Sequence, residues 1–303
     1  MAMRGRWLWT LAAAGLAVGL LVQAQTAADA VREGIDLCLR AVIPSLFPFF
    51  AVSTLLVSLG AADGAGRVLA RPFRRMFHCG GAGCAALLLG LIGGYPVGAR
   101  TAAALVRQGA LTPREGGRLL TFCNNAGPAF AVGVAGMTVF GSGRIGVYLY
   151  LIHAAAALAA GLLLCRTGKA SAASAAPAPV QAGLAQRFLS AVTDAAAAMG
   201  RVCAFVVFFL VLLRLAETAT GAWSAPAAGF VELTNGILRL TPDRRGFVTA
   251  AALLGWGGLS VHCQTAAVTT GSGIPMGRYL PAKALQAALS AGLAWLTAPY
   301  LLP

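Results

Sequence analysis

Charged side chains are scarce in this chain of 303 residues. They make up 11% of it, against about 25% in an ordinary soluble domain. Acids are rarer still, with nine Asp and Glu. Beside 58% hydrophobic residues and a mean hydropathy of +0.78, this points away from a soluble all-α protein and toward an all-α polytopic membrane protein. No CxxC pair occurs among the seven cysteines, Cys38, Cys79, Cys84, Cys123, Cys165, Cys203 and Cys263. Most lie in apolar runs, which reads them as small buried hydrophobes. The three histidines, His78, His153 and His262, lack metal-ligand spacing, so no metal is expected. There is no P-loop, which excludes ATP hydrolysis of that kind. No serine or cysteine constellation stands out, so neither an enzyme nor a cofactor is expected.

What the chain has in excess is basic charge, 23 Lys and Arg for a net charge of +14. Basic loops beside anionic lipid account for this in a bacterial-type inner-membrane protein. A basic pathway would also favour an anionic substrate. The basic residues are dispersed among apolar segments without an aromatic platform, so nucleic acid is not an expected partner.

Residues 1–27 read as an N-terminal anchor, with Arg4 and Arg6 ahead of an apolar run over 7–25 long enough to span. A cleaved leader is the alternative. Residues 28–165 and 188–303 read as two halves, joined by a linker at 166–187 that holds SAASAAPAPVQAG. In the first half, 41–59 is a span kinked by Pro44 and Pro48. The Arg-rich stretch 60–83 suits a helix in the headgroup plane. Thr112, Pro113 and Glu115 spell a helix start, as N-cap, N1 and N3. That helix is expected to run to about Phe140, and 145–165 to span back, with His153 making a helix–helix hydrogen bond. In the second half 188–214 and 278–301 are expected spans, and Asp194 and Arg201 are too far apart to pair, so each needs another partner. The expectation is six spans and two re-entrant hairpins in an inverted repeat. Arg239, Arg244 and Arg245 then fall outside, against the positive-inside rule.

Each half carries one interrupted apolar segment. The first breaks at Gly93, Gly94, Tyr95, Pro96, Val97 and Gly98, because glycine costs backbone entropy and proline lacks an N–H. The second, over 247–270, breaks at Gly257 and Gly258 and continues through Ser260, His262, Gln264 and Thr265. Setting Gly93 and Gly94 on Gly257 and Gly258 puts Thr101 on Thr265, Arg100 on Gln264 and Gly109 on Gly273 without a gap. Broken backbone at membrane depth persists only inside protein or beside a wet cavity. Paired breaks in two halves point to a transporter substrate site. Asn124 and Asn125, ahead of Gly127 and Pro128, either satisfy backbone freed by the proline or face a cavity and donate to a substrate, and the second is expected. Glu232, with Asn235 beside it, either serves as a cap or pairs with Arg239, or takes a proton or cation.

The segments AVIPSLFPF at 41–49, GGYPVGAR at 93–100 and TFCNNAGP at 121–128 resemble the YlbJ-type sporulation integral membrane proteins, in order, over about residues 30–300. That family belongs to the nucleoside recognition, or Gate-domain, group, which is similar to the core of concentrative nucleoside transporters. The resemblance implies a multi-pass membrane protein that passes dipicolinic acid across the outer forespore membrane. For such a flat dianion the chain offers backbone N–H groups at the breaks. Arg100 would clamp one carboxylate, and Asn124, Asn125 and Gln264 would donate hydrogen bonds. Alternatively Arg100 reaches the interface or pairs with Glu115. The expected partners are this anionic substrate and the bilayer, with a homo-oligomer left open. Two other functions compete. One is a nucleoside or cation-coupled carrier, disfavoured because Glu232 is the lone acid at the site. The other is a scaffold of a sporulation complex, which would use small-residue helix faces and has no need of matched breaks.

Overall fold

The computed structural model describes residues 2–59, 61–165 and 183–302, so that most of the expected linker lies outside the described residues. The described residues form helices and no strands. Three stretches are long and apolar enough to cross a bilayer, Gly143–Leu164, Leu184–Thr220 and Arg244–Thr269. A fourth is counted if Trp7–Val22 and Ala24–Val42, bent by 94° at their junction, act together. The chain is a helical membrane protein, but six spans are corrected to three or four among the described residues. Two expected spans fall short for visible reasons. The apolar helix at 43–58 is only 16 residues long, and the final helix carries Lys283, Gln286 and Ser290 in its interior.

Helix α1 (Ala2–Val22) turns at Gln23 into α2 (Ala24–Leu37). The helix then widens to i→i+5 bonding over Cys38–Val42 and continues as α3 (Ile43–Ser58). The widening ends just before Pro44, which has no N–H to offer the carbonyl of Arg40, so the expected kink is absorbed as a π turn. In α4 (Ala61–Phe77), Phe73 and Phe77 are buried while Arg71, Arg74 and Arg75 are exposed, the two-faced pattern read from sequence.

Helices α5 (Gly83–Gly93) and α6 (Val97–Arg107) pack on each other as the first hairpin. Its legs are close because Gly90 and Gly98 both lie against the Cys123 carbonyl, where an added Cβ would come within 1.7 and 1.9 Å of the oxygen. Helix α7 (Pro113–Leu120) begins on the capping box that the sequence spells, with Thr112 and Glu115 each bonding the other's backbone. It does not run on to Phe140. It stops at Leu120, residues 121–127 are unwound, and the chain resumes at Pro128 into a π segment, Ala129–Val139. Pro128 disfavours helix at the residue before it, and Gly127 is pinned against Gly94, where a Cβ would meet backbone at 3.0 Å.

Helix α8 (Gly143–Leu164) follows, capped by Ser142, and then α9 (Leu184–Thr220). The second hairpin is not at 247–270. It is made by α10 (Ala225–Val231) and α11 (Leu233–Leu238), whose legs touch at Gly229 and Gly236. Helices α12 (Arg244–Trp256) and α13 (Gly258–Thr269) instead run on as one span, interrupted at Gly257 and Gly258 with φ of +92° and +83°. Two successive left-handed residues break the helix without reversing it. Helix α14 (Tyr279–Leu301) closes the molecule by packing along α12 and α8.

Candidate functional site

Each hairpin tip sits on a break in a neighbouring helix. Gly94, in the first tip, backs onto Gly127, and Leu233, at the second, backs onto Gly258. The two halves are then tied together by Tyr95, whose hydroxyl donates to the Leu254 carbonyl at 2.9 Å. That carbonyl would serve the amide of residue 258 in an unbroken helix, so the break at Gly257 is what leaves it free for Tyr95. A Cβ on Gly257 would stand 3.3 Å from the Tyr95 hydroxyl, so a side chain there would crowd the bond.

Between these breaks lies a cleft. Its walls are largely apolar, from Val42, Leu46, Phe130, Val202 and Val206. The polar residues lining it are Glu232, Thr234, Ser260 and Gln264, beside Gly94 and Tyr95. Ser260 Oγ is fully buried and has no hydrogen-bond partner. Glu232 does not pair with Arg239. Its carboxylate caps α11, accepting from Thr234 N at 3.2 Å, from Asn235 N at 2.8 Å and from Asn235 Nδ2 at 3.1 Å. Arg239 instead meets Glu217 at 2.5 Å.

The other sequence candidates lie off the cleft wall. Gly93, Pro96 and Gly98 shape the first hairpin. Arg100 faces Asp194 at 3.6 Å, both partly exposed, which gives Asp194 the separate partner that its spacing required. Asn125 Nδ2 donates to the Phe122 carbonyl at 2.8 Å, and Asn124 Nδ2 to Thr265 Oγ1 at 2.8 Å. The Asn125 amide therefore serves the unwound stretch itself, while the Asn124 amide ties that stretch to α13. His262 packs edge-on against Trp256 and Tyr279.

A buried cation supplies what the unwound stretch still lacks. Lys283, 0% exposed, projects from α14 and donates to the Asn124 carbonyl at 3.0 Å, to Gln286 Oε1 at 2.6 Å and to Tyr95 Oη at 3.3 Å. Gln286 in turn donates to Asn125 Oδ1 at 3.1 Å. His153 Nε2 accepts the Ala126 N–H at 3.0 Å, so that nitrogen carries no proton and the ring is neutral. The freed backbone at 122, 124 and 126 is thus matched by Asn125, Lys283 and His153, which is how broken backbone survives away from water. Lys283, Gln286 and Tyr279 were missed in the sequence. A lysine in the middle of an apolar span, with a glutamine one turn later, was the available signal.

Over 146 residues the chain is 33% identical to the sporulation integral membrane protein YlbJ of Bacillus subtilis (strain 168). The match covers 48% of this chain and 36% of that protein, so the chain aligns with about a third of its curated relative. No protein-family model matches the chain, and no solved structure does.

Proposed function

We infer, from the YlbJ-type assignment that this identity supports, a multi-pass protein with a sporulation membrane role, and we propose that it passes a small organic anion across that membrane. The candidate solute is dipicolinate, and the candidate membrane is the outer forespore membrane. The observation that carries the proposal is the meeting of two hairpin tips and two helix breaks around one cleft. Broken helices that converge on a cavity are the recurrent architecture of secondary transporters, and the twofold inverted, concentrative-nucleoside-transporter-like arrangement is proposed on the same ground. The cleft favours a guest with apolar faces, since Phe130 and several aliphatic side chains line it. A carboxylate would find the first turn of α13, where the Ser260 hydroxyl is unpartnered. Arg100 is not assigned the clamp, because Asp194 already faces it.

The test is flux into lipid vesicles that contain the purified full chain and no other protein. Dipicolinate should enter faster than into empty vesicles and should be competed by similar aromatic dicarboxylates. Nucleosides should neither enter nor compete. Nucleoside flux would replace the anion reading with a nucleoside carrier, and no flux of either would leave the scaffold role standing.

A further inference from the structure

Glu232 is 1% exposed and forms part of the cleft wall. Among the described residues no lysine or arginine pairs with it. Its three hydrogen bonds come from its own hairpin, from Thr234 and Asn235. The residues that share the cleft are mostly apolar, apart from Thr234, Ser260 and Gln264, none of which carries a charge. A fixed negative charge there opposes the entry of a carboxylate, because among the described residues no cation pairs with Glu232 to offset it.

We propose that Glu232 is the proton-carrying group of this cleft, which rests on the transport reading above. It takes up one proton from the aqueous phase open to the cleft as the solute carboxylate enters. It gives that proton up to the other phase when the solute leaves. The bond made and later broken is the carboxyl O–H, and no other reactant is needed. Protonation removes the repelling charge and presents an O–H that the solute can accept. It also weakens Glu232 as an acceptor for the amides of Thr234 and Asn235. Those bonds hold the first turn of α11, whose Leu233 seals against Gly258. Loading the proton therefore loosens the second hairpin tip over the cleft.

The neighbouring elements offer few competitors for this proton. The thiol of Cys38, in the π turn, is within electrostatic reach of Glu232. On α9, Cys203 engages Cys38. On α13, His262 packs between Trp256 and Tyr279, and Cys263 is exposed. The π segment Ala129–Val139 carries no titratable side chain. On α12, Arg244 and Arg245 are exposed at its start. From the first hairpin, Tyr95 is engaged by Leu254 and Lys283.

Two measurements on the full chain in lipid vesicles test this. Infrared difference spectra across a pH titration should show a buried carboxyl C=O band that Glu232→Gln abolishes. An inwardly directed proton gradient should drive dipicolinate above equilibrium in the wild type. Glu232→Gln should lose that drive, and Glu232→Asp should keep the drive at a reduced rate. Wild-type flux indifferent to the gradient overturns the proposal without any variant that must fold. So does the absence of a carboxyl band specific to Glu232. A complete lack of dipicolinate flux sinks the transport reading instead, and the infrared band, which needs no solute, keeps the two failures apart.

Discussion

Lys283 is an ammonium group with no exposure and no carboxylate among its partners. Burying such a charge is costly unless its hydrogen bonds are filled. Here they are filled by neutral oxygens, two of which would otherwise be stranded acceptors, the Asn124 carbonyl and Gln286 Oε1. Replacing Lys283 by Met keeps the length and removes the donor. The buried acceptors left behind should lower stability by about 1–3 kcal/mol. A thermal melt of Lys283→Met in detergent should therefore fall below the wild type, and an unchanged melt would mean that these oxygens do not depend on the ammonium.

At the scale of elements, the molecule is built from helices that stop early and pack closely. The second hairpin depends on contact between Gly229 and Gly236, where a Cβ on Gly236 would come within 2.1 Å of the Gly229 Cα. Backbone cannot retreat from backbone as a flexible side chain can. Gly236→Ala should cost about 3 kcal/mol or more, beyond ordinary overpacking. Gly200, in α9, has nothing within 4 Å of its Cβ direction, and Gly200→Ala should be neutral or gain up to about 1 kcal/mol of helix propensity. The pair of melts checks whether the α10–α11 contact is real. The same hairpin also answers the positive-inside difficulty in part. Arg239, just past α11, is neutralised by Glu217, which also meets Arg214 at 2.8 Å.

At the scale of the whole molecule, the N-terminal run is held to the second half across α9. Arg214 bonds Glu33 of α2 at 2.5 Å, and the Cys38 thiol reaches the Cys203 carbonyl at 3.9 Å. Both cysteines are free thiols. Mild oxidation with copper phenanthroline should therefore join Cys38 to Cys203, detected as one linked peptide by mass spectrometry. A linkage confined to other cysteines would separate α2 from α9.

The amino-acid pattern by itself determined the class, a helical membrane protein, and the places where backbone could not stay helical. Gly94 and Pro96, and Gly257 and Gly258, break helices because of their own chemistry, and the Thr112–Glu115 cap is complete within four residues. Those effects are local, so they were legible in order along the chain. Only the tertiary structure decided which break reverses the chain and which lets it run on, and which freed carbonyl meets which donor. Tyr95 and Leu254 are 159 positions apart, as are Asn124 and Lys283. The alignment of two glycine pairs could not show that the first belongs to a hairpin and the second to a continuing span. The difference lies in what packs against them, Gly127 in one case and the α10–α11 tip in the other, and packing between distant segments is set by the whole fold rather than by either motif.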